Sequence, residues 1–284
     1  MNSLNHLGLH LRLKDNLAAL VEEAQALQLS CIQFFLVDQK THQYVTFSAK
    51  DKQAFLQARK DFLHDVFIHS SYWINPASHN KDVFNLSKSL LRREIRTAKS
   101  LDIGYLVLHA GSSKGYLATP EDPLAKTHGL KTLARMLNTL LKKESDVTIL
   151  LENAAHGSKT LGNDLNDFVQ LKEYLDFPDK IGFCLDTAHA YAYGYELAPI
   201  DPFLAFVDQT MGLNNLKLIH FNDSENLFGS MQDKHASPGQ GKIGQSILSP
   251  YLHHKALKRL PKIIEAPTGS KQNLLQIVES VNNW

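Results

Sequence analysis

Short apolar runs alternate along the chain with longer stretches in which apolar residues recur every three or four positions. The runs are His6–Leu11, Cys31–Val37, Asp65–His69, Gly104–His109, Val147–Leu151, Ile181–Leu185, Leu216–Phe221 and Pro261–Ile264. Their length suits strands, and their near-continuous apolar character suits strands buried on both faces. Between them the spacing predicts helices. One is capped by Asp15 and runs to about Leu27, with Leu17, Leu20, Val21 and Ala24 on one face. Others follow at Asp51–Phe62, Val83–Ser100, Ala125–Leu141, Leu165–Leu175, near Phe203–Met211, and at Lys271–Val281. The segment SSYWINPASHN reads as a loop, as does the glycine- and proline-bearing stretch up to about Pro123. Eight β-then-α units predict an α/β fold, a single (β/α)8 barrel over residues 1–284, and no shift in composition marks a second domain.

Composition agrees with a large packed core: 43% of the 284 residues are hydrophobic and 21% charged. The net charge of +1 excludes a global basic field, so contact with a polyanion must be local or made through metals. Cys31 and Cys184 each sit inside an apolar run and read as buried thiols of a reducing compartment. The start of the chain, MNSLNHLGLHLRLKDN, lacks an apolar signal core, and no run of 18 apolar residues exists. The expectation is a cytoplasmic monomer with no membrane segment.

The chemistry lies where the apolar runs end. In a barrel of this kind the C-terminal ends of the strands line the active face. Six of the eight runs end in, or lead directly to, a metal-ligand residue: His69, His109, Glu152, Asp186, His220 and Glu265. A single histidine at a strand end is usually satisfied by a local hydrogen bond; six ligand types at one rim are not explained that way. His189, three residues past Asp186 at the opening of a turn, and the pair Asp233 and His235 in an extended loop segment add three more. Nine such donors exceed one tetrahedral zinc and suffice for two or three metals, with carboxylates as bridges. Metals roughly 3.5–4 Å apart can stabilise the attacking and leaving oxygens together, which suits displacement at phosphorus.

The segments FIHSSYWIN, VLHAGS, LLENAA, GFCLDTAHAYAYGYEL, HFNDSENLFGSMQDKHASPGQGKIG and IIEAP, between about residues 66 and 266, resemble the endonuclease IV family of zinc-dependent apurinic/apyrimidinic endonucleases. The resemblance implies a TIM barrel with three zinc ions. His69, His109 and Glu152 would hold the first. Glu152 would bridge to the second, completed by Asp186, His220 and Glu265, and His189, Asp233 and His235 would hold the third. Glu152 and Glu265 would be the catalytic carboxylates. The implied partner is damaged duplex DNA carrying abasic sites, cut 5′ to the lesion to leave a 3′-hydroxyl, a step of base excision repair.

The chain departs from the family's pattern away from these donors. GLHLRLKDN keeps His10 but lacks the serine and glycine pair usual there, and VDQKTHQYVTF has Lys40 and Tyr44 but no arginine. Substrate contact is expected from Tyr72, Trp73, His10 and Lys234. Three have a plainer alternative: the two aromatics pack on a neighbouring helix, and Lys234 is a solvated lysine. His156 reads as a surface or hydrogen-bonding histidine, LLRREIRT as a charged helix face, and Gly239, Gly241 and Gly244 fit turn geometry as well as a phosphate cradle. The competing function is a divalent-metal sugar isomerase or epimerase on a related barrel; such enzymes commonly need one or two metals, and His69, His109 and the Asp233–His235 pair would be in excess.

Overall fold

The computed structural model describes residues 6–13, 16–38, 43–113, 124–144, 146–157, 159–265 and 270–284. The elements run β1 (Leu7–His10), α1 (Leu17–Ala26), β2 (Cys31–Phe35), α2 (Ala49–Asp61), β3 (Asp65–His69), α3 (Lys81–Ser100), β4 (Tyr105–His109), α4 (Leu124–Leu141), β5 (Thr148–Glu152), α5 (Asn166–Lys172) and β6 (Ile181–Asp186). There follow α6 (Thr187–Tyr193), α7 (Ile200–Thr210), β7 (Leu216–His220), β8 (Asp223–Ser224), β9 (His235–Ala236), α8 (Gln245–His253), β10 (Lys262–Ile264) and α9 (Lys271–Asn282). Strands β1, β10, β7, β6, β5, β4, β3 and β2 close, in that spatial order, into a barrel of parallel neighbours. β8 and β9 form a small antiparallel ribbon outside it.

Alternation along the strands divides the apolar residues between two cores. Ile32, Phe34, Ile68, Leu106, Leu108, Ile149, Leu151 and Ile264 join the helix faces, among them Leu17, Leu20, Phe55, Leu91 and Ile95, in one large cluster. Cys31, Phe67, Val107, Leu150, Cys184, Leu218 and Ile263 form a second, separate cluster inside the barrel. Each of these seven lies on a different strand, and the residue two positions further along each is Gln33, His69, His109, Glu152, Asp186, His220 or Glu265. A strand repeats its facing every two residues, so the polar layer stacks directly above the apolar one.

Local chemistry sets the helix starts. Asn16, rather than the expected Asp15, caps α1: its side chain accepts from Ala19 N at 2.8 Å. Asp15 itself lies outside the described residues, as do Lys40 and the loop to Pro123. Ser48 and Asp51 form a reciprocal capping box on α2. Two helices escaped the sequence pattern. α6 is seven residues long, too short for a periodic signal, and α8 contains Pro250. Both cysteines are free and buried. Among the described residues no helix is long and apolar enough to cross a membrane.

Candidate metal centre

All nine predicted donors fall in one connected cluster at the C-terminal ends of the strands. Glu152, fully buried on β5, lies at its centre. Its Oε2 is 3.2 Å from His69 Nε2 and 3.5 Å from His109 Nε2; its Oε1 is 2.9 Å from His220 Nδ1 and 3.3 Å from His189 Nδ1. His220 Nδ1 also faces Glu265 Oε2 at 3.3 Å and Asp186 Oδ2 at 3.8 Å. On the outer side, Asp233 stands 3.2 Å from both His189 Nε2 and His235 Nε2, and those two ring nitrogens are 3.3 Å apart.

Three sets of ligand atoms gather within 4.8 Å: His69, Glu152 and His220; Glu152, Asp186, His220 and Glu265; and Asp186, His189 and His235. The second is the set the resemblance implies. The first contains His220 where the resemblance places His109, and the third contains Asp186 where it places Asp233. Glu152, Asp186 and His220 recur between the sets, as bridging positions do.

This donor set fits divalent metal. Four carboxylates gathered at the end of a closed barrel require compensating positive charge, and the ion pairs they make among the described residues are with histidines. Nitrogen and oxygen donors together suit zinc. Burial opposes the charge on Glu152, yet the facing His220, His109 and His189 hold it well below the usual carboxylate range. Burial likewise opposes protonation of His189, but Asp186 and Asp233 raise it well above the ordinary histidine value. His109, where burial outweighs Glu152, is pushed down to about 4.

Neighbouring groups orient the rings. His69 Nδ1 meets Ser70 O at 2.8 Å and His189 Nδ1 meets Asn153 O at 2.8 Å, turning Nε2 of each toward the carboxylates. Asp186 caps α6 by accepting from His189 N at 2.7 Å, so strand end and helix start place two donors together. Asn222 donates to Asp186 at 2.6 Å and to Glu265 at 3.2 Å, and the Thr187 hydroxyl holds the backbone of His220 and Asn222. Asn153, Thr187 and Asn222, each close to a strand-end donor, were not singled out in the sequence, nor was Gln33. Only Gln33 carried a signal there: it is the polar residue inside the second apolar run, in phase with the donors of the other strands.

The expected substrate residues divide. Tyr72 and Trp73 are 62% and 50% exposed, and the Tyr72 ring lies 5.0 Å from Phe35, 5.8 Å from His69 and 6.1 Å from His109. Tyr72 borders a cavity of about 300 Å³ that also touches Asn75, His109, Ser112, His156, His189 and Asp233. His10 lies within the cluster, 3.2 Å from Glu265 and packed on Phe35, with its buried Nε2 lacking a hydrogen-bond partner among the described residues. Lys234 is exposed on the surface, where it pairs with Glu225. Gly239, Gly241, Ile243 and Gly244 aim their N–H groups at the buried Asp223 carboxylate at 2.9–3.1 Å, which accounts for the glycine-rich turn without a phosphate. The Arg93 guanidinium of α3 stacks 3.8 Å from the Tyr44 ring centre.

Residues 21–283 match the protein-family model of xylose isomerase-like TIM barrels. The "Probable endonuclease 4" of Thermosipho melanesiensis is 33% identical over 220 residues, 76% of this chain and 75% of that protein. The protein of the same name from Sulfurihydrogenibium sp. is 30% identical over 278 residues, 96% of each. The crystal structure of endonuclease IV from Thermus thermophilus superimposes with a TM-score of 0.82 over 98% of both chains, at 28% identity.

Proposed function

The chain belongs to the endonuclease IV family, and from that premise we propose that it is a zinc-dependent DNA repair endonuclease. It hydrolyses the phosphodiester 5′ to abasic sites in duplex DNA and leaves a 3′-hydroxyl. The observation that carries this reading is the gathering of eight histidine, aspartate and glutamate side chains about a ninth, Glu152, at one rim of the barrel. Three zinc ions would be held by His69, His109 and Glu152; by Glu152, Asp186, His220 and Glu265; and by His189, Asp233 and His235. Bound zinc supplies Lewis-acid charge at the phosphoryl oxygens and lowers the pKa of water to about 7.

The protein's own groups do the rest. Glu152 and Glu265 place fixed negative charge at the centre, and the apolar layer of Val107, Leu150, Cys184 and Leu218 closes the barrel beneath. His109, Tyr72 and Asp233 border a cavity beside the cluster, where the nucleotide at the lesion can be received. Tyr72 and Trp73 fill the gap left in the duplex by stacking. The chain acts as one domain and as a monomer, in the cytoplasm, where two buried free thiols remain reduced.

Purified protein is expected to cut a duplex containing one abasic site and to stop cutting when a chelator is added. Metal analysis is expected to give three zincs per chain. One or two zincs, with no incision, would favour the sugar isomerase or epimerase reading. The position of Asp233 between His189 and His235, beyond the central ligands, speaks against that alternative.

A further inference from the structure

Seven of the eight barrel strands bring a histidine or carboxylate to the rim, in the last residue of the strand or the one after it: His10, His69, His109, Glu152, Asp186, His220 and Glu265. The eighth, β2, brings Gln33, fully buried. We propose that Gln33 is a positioning residue that decides which imidazole nitrogen His220 turns toward the metal, while holding Glu265 in place. The inference rests on the metal reading of the site but not on the DNA substrate.

The amide has one workable orientation. Gln33 Nε2 is 2.9 Å from Glu265 Oε1, and an ionised carboxylate only accepts, so the NH2 end faces β10. A flipped amide would set carbonyl oxygen against carboxylate oxygen. The same nitrogen lies 2.9 Å from His10 Nδ1, which itself faces Glu265 Oε1 at 3.2 Å. The carbonyl end is thereby fixed 2.9 Å from His220 Nε2. An amide oxygen only accepts, so His220 Nε2 carries hydrogen and donates it. The lone pair of neutral His220 is then on Nδ1, the atom that faces Glu152, Glu265 and Asp186 at 2.9, 3.3 and 3.8 Å. The Cys184 thiol also interacts with the ring, but sulfur is a weak acceptor and does not compete with the amide.

His220 is the reverse of its neighbours. His69 and His189 are anchored at Nδ1 by the backbone carbonyls of Ser70 and Asn153, leaving Nε2 for metal. The anchored nitrogen of His220 is Nε2, and its acceptor comes from a side chain 187 residues earlier in the chain. Such outer partners commonly set metal affinity as well as ring orientation.

The test uses the full chain loaded with zinc alone, with 15N-labelled histidine. Long-range proton–nitrogen spectra are expected to show His220 bound through Nδ1, with a slowly exchanging hydrogen on Nε2. Chelator competition should show zinc affinity reduced about 10–100-fold in Gln33→Leu, with loss of the slow Nε2 hydrogen. Gln33→Glu keeps an acceptor for that hydrogen but sets a second carboxylate against Glu265. It should retain the Nε2 signal while still losing zinc affinity. Binding of His220 through Nε2 in the unaltered protein overturns the proposal even if no variant folds. So does a Gln33→Leu protein with unchanged affinity and an unchanged Nε2 hydrogen, and in that case the metal reading survives. Protein that takes up no zinc removes both.

Discussion

At the scale of single residues, burial decides what each ionisable group contributes. His235 faces Asp233 at 3.2 Å, Asp186 at 3.6 Å and Glu265 at 3.7 Å, and of the three ligand groups it joins only the outer one. His235→Ala is expected to lower bound zinc by about one per chain, because it removes one of the two imidazoles of the outer site; an unchanged zinc content would show that His235 is not a ligand. Glu94 is a different case. It is fully buried on α3, accepts from Ser71 N and the Tyr44 hydroxyl at 3.3 Å each, and is pushed by burial up to about 8. An unfolded glutamate titrates near ~4.3. Between that value and about 8 the native protein keeps a proton the unfolded chain has lost, so stability falls as pH rises through the window and levels off above it. Glu94→Gln should remove this part of the pH dependence. Denaturation midpoints of the two proteins should therefore separate progressively between about pH 4 and pH 8, and parallel curves would show that Glu94 does not titrate there.

At the scale of elements, the loop that brings in Asp233 and His235 hangs on one carboxylate. Asp223, fully buried on β8, accepts N–H groups from Ser224, Gly239, Gly241, Ile243 and Gly244. A Cβ at Gly241 would meet Asp223 Oδ1 at 2.4 Å, which is why the turn returns on glycine. Asp223→Ala leaves several donors without a partner, each costing about 1–3 kcal/mol where buried. The expected outcome is a lower thermal midpoint together with loss of zinc from the outer site, although residue 223 is no ligand. Retention of full zinc content would mean the β8–β9 ribbon holds without it. The α2 capping box is solvent-exposed, and Ser48→Ala should cost only about 1 kcal/mol in chemical denaturation with no effect on metal content.

At the scale of the whole molecule, a net charge of +1 limits how the protein can hold a polyanion. Grip on abasic duplex is expected to come from the metals and the exposed loop aromatics, so Trp73→Ala should weaken binding by about 1–3 kcal/mol. The salt dependence of binding should be shallow, since few phosphates are neutralised by lysine or arginine. The structure does gather Lys52, Arg92, Arg93 and Arg96 around a groove of about 570 Å³ between α2 and α3. A steep salt slope that flattens in Arg92→Gln, alongside a silent Trp73→Ala, would move the grip to that groove.

The barrel and its polar layer were legible in the sequence because both are local. Apolar runs of strand length mark the strands, and the two-residue repeat puts His69, His109, Glu152, Asp186, His220 and Glu265 in one phase with the apolar layer beneath. Which groups then meet was not legible, because it depends on closure of the barrel. His10 meets Glu265 across 255 positions, and Gln33 meets His220 across 187. Only the folded chain shows that Lys234 is taken up by Glu225, that Arg93 reaches Tyr44 from a helix, and that the glycines near 241 serve Asp223. Periodicity determines the face of an element on which a residue stands; a hydrogen bond also needs the distance and direction of a partner, and those exist only once distant strands are paired.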